Sequence, residues 1–140
     1  MASIEFKIEN DNTEEIIKMS REAARKALTE IGLLSERYAK QGCVVDTGLL
    51  RNSITFALDG EAAYTGEYKA DRGGKTGAYS GAAPKEGAGS NAVYVGSNVE
   101  YAPYVELGTS KQKAKPFLRP AIQDHSGEFE AVVKKNMENA

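Results

Sequence analysis

With 140 residues, 18 Lys and Arg against 20 Asp and Glu, and a net charge of −2, the chain is long enough to bury one real core and is close to charge balance. That balance argues against a general electrostatic grip on nucleic acid, which needs a basic face, while leaving room for a local basic patch. The single cysteine, Cys43, excludes an intrachain disulfide and fits a reducing compartment. The start, MASIEFKIEN, shows no signal-peptide pattern, and no apolar run approaches the roughly 20 residues that span a bilayer. A soluble single domain over residues 1–140, made in a cytoplasm, is expected.

Ile4, Phe6 and Ile8 alternate with Glu5, Lys7 and Glu9, the period of a strand with one buried face. Residues 10–13 break the strand, and Asn12 with Glu15 has capping-box spacing. The helix predicted next runs to about Gln41, with Gly42 as its stop. Its apolar stripe is Ile16, Met19, Ala23, Ala27, Ile31, Leu34 and Tyr38, and the opposite face is charged. Ala23, Ala24 and Ala27 are small enough for a sheet or a helix to approach closely.

Val44 and Val45 lead into Asp46, Thr47 and Gly48, where Asp46 or Thr47 can cap a short turn through Leu49 and Leu50. Ile54, Phe56 and Leu58 then alternate as a second strand. Residues 59–90 change character: glycine, alanine, serine and lysine dominate, with Tyr64, Tyr68 and Tyr79 the main large side chains. Residues 62–68 are expected to extend the sheet as an arm, and residues 71–90 to be mobile in the isolated subunit. Such a stretch reads either as a tolerated flexible insertion or as an arm that orders against a neighbour on assembly.

Val93 and Val95 alternate with Tyr94 and Gly96, a half-buried strand ending at Ser97 or Asn98. Residues 101–107 form about two helical turns, with Pro103 in the first, where its missing N–H does no harm. Gly108 is placed as the left-handed stop residue. The loop at 110–115 carries Lys111, Lys113 and Lys115, and residues 116–120 turn the chain into a last helix from near Pro120 to about Glu138. Its stripe includes Leu118, Ile122, Phe129, Val132, Val133 and Met137, and Gly127 is a plausible bend.

No constellation of reactive residues emerges. His125 and Cys43 are the only members of their types, and neither CxxC nor HExxH spacing occurs, so no catalytic, metal or cofactor site is expected. The 73–76 stretch, GGKT, resembles the end of a phosphate loop, but Lys69 stands where that motif needs its first glycine. Asp46, Glu100 and Glu106 form a conceivable acidic cluster. The better reading makes Asp46 a cap and pairs Glu106 with Arg51 or Arg119, since an unpaired buried charge is costly. The tyrosines Tyr94, Tyr101 and Tyr104 suit core and interface positions better than base stacking.

Three blocks carry a resemblance: residues 45–54 (VDTGLLRNSI), residues 100–109 (EYAPYVELGT) and residues 116–121 (PFLRPA). In this order they resemble the tail-component or tail-completion (neck) family of HK-ninety-seven-type siphophages. The resemblance implies a non-enzymatic virion protein of the head–tail junction, assembling as a ring, with a hexamer favoured. Its implied partners are copies of itself, a head-completion or adaptor protein, and a tail-terminator or tail-tube protein, with DNA passing through the lumen without sequence readout. A head-closure adaptor or tail terminator of the same neck is the near alternative; a small nucleic-acid-binding module and a carboxylate-based hydrolase are distant ones. The fold expected is α+β, a small mainly antiparallel sheet packed by a long N-terminal and a C-terminal helix, with a glycine-rich arm at 59–90. Interface or structural candidates are Asp46, Thr47, Gly48, Arg51, Tyr101, Tyr104, Glu106, Gly108, Lys111, Lys113, Lys115, Phe117 and Arg119.

Overall fold

A computed structural model describes residues 4–9, 21–59, 66–79 and 92–138. In chain order the elements are β1 (Ile4–Glu9), α1 (Arg21–Gly42), α2 (Leu49–Ser53), β2 (Thr55–Leu58), β3 (Gly66–Lys69), β4 (Thr76–Tyr79), β5 (Ala92–Ser97), α3 (Ala102–Leu107), α4 (Leu118–Gln123) and α5 (Ser126–Glu138). The fold is α+β. Strands β1, β5 and β2 form one antiparallel sheet with β5 in the centre, Val95 standing opposite both Phe6 and Phe56. The capping-box pair and the stripe positions Ile16 and Met19 lie outside the described residues.

The arm expected at 59–90 needs correction. Residues 66–79 do not extend the main sheet; they form a separate two-stranded antiparallel hairpin, β3 with β4. Residues 71–79, expected to be mobile, are therefore ordered within it, while 60–65 and 80–91 lie outside the described residues. The turn uses Gly73 and Gly74, both with positive φ (87° and 66°), a backbone that residues with a Cβ rarely adopt. A Gly-Gly pair midway between Tyr68 and Tyr79 was the available hairpin signal. The two rings sit 5.0 Å apart across the strands.

Strand β5 is buried on both faces rather than one. Val93 and Val95 meet α1, and Tyr94 on the other face is also buried, its hydroxyl donating to Asp59 at 3.3 Å. A central strand is screened by neighbours on both edges, which alternation alone does not report.

The buried line of α1 runs through Ala23, Ala24, Ala27, Leu28, Ile31, Gly32, Ser35 and Ala39, so Ala23, Ala27 and Ile31 of the expected stripe hold, with Leu34 and Tyr38 only half-buried at its margin. Small residues decide this choice. They let the sheet lie close to the helix, and the larger side chains fill the flanks. Ser35 satisfies its buried hydroxyl on the carbonyl of Ile31 at 2.6 Å. At Gly32 a Cβ would stand 2.3 Å from Cδ2 of the Phe56 ring. Gly32→Ala is accordingly expected to destabilise the fold by about 1–3 kcal/mol despite the better helix propensity of Ala. Urea midpoints check this, and Phe56→Leu should recover part of the loss by vacating the space.

The last helix is broken in two. Helix α4 ends at Gln123 and α5 starts at Ser126, a break slightly ahead of the bend expected at Gly127. Here the His125 ring stacks on Tyr38 of α1, with centroids 3.5 Å apart and planes 1° from parallel. The Tyr38 hydroxyl donates to Glu128, and Lys135 reaches Glu30 at 2.9 Å further along α1. His125 thus packs one helix on another, which is the role its surroundings allow.

Among the described residues, two apolar clusters form the interior. One joins α1 and α5, which pack on each other, to the sheet through Leu28, Ile31, Leu58, Val93 and Phe129. The other brings together Leu50, Ile54, Val95, Ala102, Phe117 and Leu118, so all three sequence blocks meet in one core.

Candidate functional site

The 45–54 block is built around a turn. Thr47 Oγ1 accepts the N–H of Leu49 at 3.3 Å and tightens the turn, but the N-cap position of α2 is Gly48 at φ 87°, with no side-chain cap, so neither Thr47 nor Asp46 caps the helix as expected. A Cβ on Gly48 would meet the Asp71 carboxylate at 2.5 Å, so both its conformation and its space require glycine. The hairpin loop closes on this turn. The N–H of Arg72 donates to the carbonyl of Thr47 at 2.9 Å, and Arg51 is hydrogen-bonded to Asp71. Asn52 donates to the carbonyl of Lys69 at 2.5 Å and to Asp71 at 3.1 Å. Asp46 does not cap α2 through its side chain; it is fully out in solvent, with its carboxylate 4.0 Å from the Arg72 guanidinium. Asn98, just past β5, holds the hairpin from the other side, donating to the carbonyl of Ala78 and accepting from the Tyr68 hydroxyl, both at 2.7 Å.

The 100–109 and 116–121 blocks are locked by one carboxylate. Helix α3 follows Tyr101, with Pro103 in its first turn, and ends at Gly108 with φ 78°. A Cβ there would stand 2.7 Å from the backbone nitrogen of Ala114, because the following loop folds straight back. That loop is closed by Thr109, whose hydroxyl accepts the N–H groups of Lys111 and Gln112 at 3.2 and 3.0 Å, and by the N–H of Lys115 on the carbonyl of Val105 at 2.8 Å. The return brings the start of α4 over Glu106, which is buried. Its Oε1 accepts the N–H groups of Phe117 and Leu118 at 2.9 and 2.8 Å, and Oε2 accepts that of Arg119 at 3.3 Å.

The partner of Glu106 therefore differs from the ion pair expected. Arg51 is engaged by Asp71, and Arg119 reaches Glu106 through its backbone N–H. The first N–H groups of a helix have no partner within it, and they carry the positive end of the helix dipole. A buried carboxylate neutralised by such fixed donors avoids burying a second full charge.

Beneath this knot lies Cys43, buried at the end of α1. Burial pushes its thiol from 9.0 up to about 11, with nearby Arg51 lowering it and Glu106 raising it. Two results are expected. Ellman's reagent at pH 8 should label the native chain far more slowly than the unfolded one, because the thiolate is the nucleophile. Stability should also fall between pH 9 and pH 11, where the unfolded chain loses the proton and the folded chain keeps it; below pH 9 both hold it and the effect vanishes. Urea midpoints of wild type against Cys43→Ala across that window measure the difference. Burial raises the Tyr101 and Tyr68 hydroxyls as well.

What this knot presents outward is apolar and basic. Tyr101, Tyr104 and Leu107 repeat every third residue on the free face of α3, with Val44 and Val45 also exposed. Lys111, Lys113 and Lys115 stand exposed on the loop beside α3, and Arg119 is exposed while Phe117 is in the core. Among the described residues no group of three or more His, Cys, Asp or Glu side chains is placed to hold a metal ion. No helix among them is long and apolar enough to cross a membrane.

Among the described residues Glu106 is the one buried carboxylate, and it holds a turn in place within an α+β scaffold. The chain matches the family described as "Bacteriophage HK97-gp10, putative tail-component" over residues 3–108, and it belongs to that family. The family is a structural one, of the phage tail. The match takes in the first block and the second up to Gly108, and ends ahead of the 116–121 block that Glu106 holds. No curated protein and no solved structure matches the chain.

Proposed function

We propose that the chain is a non-enzymatic subunit of the phage head–tail junction. In this reading it completes the tail at the neck, sits in the virion, and assembles as a closed ring, a hexamer being favoured. The ring meets a head-completion or adaptor protein on one side and a tail-terminator or tail-tube protein on the other. DNA passes through its lumen without base readout.

The observation that carries this reading is the outward face of α3. Tyr101, Tyr104 and Leu107 are held in the open by a turn anchored in the core through Ala102 and Glu106. Large side chains kept exposed on a rigid support are the mark of a contact surface. Family membership supplies the setting. The exposed lysine loop supports a second role toward DNA, which would show as salt-sensitive DNA retention lost on changing Lys111, Lys113 and Lys115 together.

Complementation tests the proposal. Deleting the gene from the phage should leave filled heads and separate tails, and adding the purified chain should restore joining. Immunogold labelling should then fall at the head–tail junction. Normal infectious particles formed without the chain would sink the proposal, and label along the tail shaft would move it away from the neck.

A further inference from the structure

Among the described residues, the β3–β4 hairpin is fastened to the rest of the chain mainly by polar groups. At its turn, Asp71 is the hub. Its carboxylate takes Arg51 and, at 3.1 Å, the Asn52 amide, and it stands over Gly48, the buried glycine of the 45–54 turn. Arg72 donates its N–H to the carbonyl of Thr47 at 2.9 Å and its guanidinium to the carbonyl of Asp46. At the far end the Tyr79 hydroxyl donates to the carbonyl of Asn52 at 2.7 Å, and Asn98 holds Tyr68 and the carbonyl of Ala78.

The apolar seating is small by comparison. Ala70 is the one buried residue of 66–79, and Tyr68 is half-buried against the cluster that holds Leu50 and Val99. A two-stranded hairpin is marginal in water by itself, so this one depends on its fastening. The Arg51 and Asp71 side chains are 35% and 51% exposed, a setting in which an ion pair is weak and screened by salt. What lies beneath is held quite differently. Helix α2 is anchored by buried Leu50 and by Ser53, whose hydroxyl is hydrogen-bonded to that of Ser97 at 2.6 Å. The hairpin can therefore let go while α2 and the sheet stay in place.

We infer that residues 66–79 are a strap that closes over the 45–54 turn and opens as one unit, with Asp71 as its latch. Closed, it occupies the Arg51 guanidinium, the Thr47 carbonyl and both polar groups of Asn52, and it covers Gly48. Open, it frees those groups for other contacts without unfolding the core. The turn is thus gated by the chain's own hairpin.

Hydrogen exchange of the full chain, followed by NMR, tests this. In wild type the amides of Ala70 and Arg72, bonded to the carbonyls of Lys75 and Thr47, should exchange at least about a hundredfold faster than those of Val93 and Val95 in β5. Added salt should speed the strap amides and not β5. Asp71→Ala should speed Ala70, Arg72 and the amides of both strands together, by about tenfold relative to β5 of the same protein. Asn98→Ala should speed the same set, Arg72 included, although Asn98 bonds Ala78 and Tyr68 at the opposite end. Limited trypsin digestion reads the same event, because Lys69, Arg72 and Lys75 lie in the strap; cleavage there should rise by a similar factor in both variants. Strap amides that exchange no faster than β5 would overturn the inference, since the hairpin would then be part of the core. So would variants that speed only the amides beside the substitution, which is the behaviour of a fraying loop rather than of one unit.

Discussion

Replacing Glu106 with Ala is expected to lower the unfolding free energy by about 3–5 kcal/mol. The side chain is 3% exposed and takes three backbone N–H groups, at 2.9, 2.8 and 3.3 Å. Each hydrogen bond to a charged acceptor contributes about 1.5–3 kcal/mol, and three sharing one carboxylate add to less than their sum. Alanine leaves buried donors with no acceptor and a cavity between α3 and α4. Glu106→Gln keeps one acceptor oxygen but turns an NH2 group toward an N–H, so a loss of about 1–2 kcal/mol is expected. Urea midpoints order the three proteins, and hydrogen exchange at the amides of Phe117, Leu118 and Arg119 locates the effect. A Glu106→Ala loss under about 1 kcal/mol would show that the carboxylate does not hold the turn.

Phe117→Ala is expected to cost a similar amount, about 3–5 kcal/mol, through a different cause. The ring is 1% exposed and packs with Leu50, Ile54, Val95 and Ala102, drawn from α2, the start of β2, β5 and α3. Its removal opens a cavity that four separate elements cannot all close. Phe117→Leu, which keeps most of the volume, should cost less than about 1.5 kcal/mol. Because the N–H of Phe117 is also bound by Glu106, the two alanine substitutions should not add. A double-mutant cycle by urea unfolding should show a combined loss smaller than the sum. Strict additivity would mean that the core and the carboxylate hold the chain independently.

Much of this architecture is legible in local pattern. The alternation at residues 4–9, the long helix ending at Gly42 and the strand ending at Ser97 all appear where side-chain period and stop residues put them. The α3 turn also follows from local chemistry, with Pro103 at its start and Gly108 at positive φ at its end. The hairpin at 66–79 was harder to see. It carries little apolar surface of its own and is held by Asp71, Asn52 and Asn98 across 17–30 residues of chain. Composition without those partners reads as a mobile loop.

Glu106 marks where local reading ends. A charged residue inside an apolar turn already announces that it needs a partner, and the sequence supplies two arginines as candidates. The partner actually chosen is the set of N–H groups that opens α4, brought within reach because Gly108 lets the loop fold back on Ala114. Element type outside residues 66–79, the α3 turn residues and family membership were legible in the sequence, since they depend on neighbours within a few positions or on motif order. Tertiary structure alone decided that β5 is covered on both sides and what neutralises Glu106. Those outcomes depend on which distant groups share a low-dielectric space, and no period along the chain encodes that.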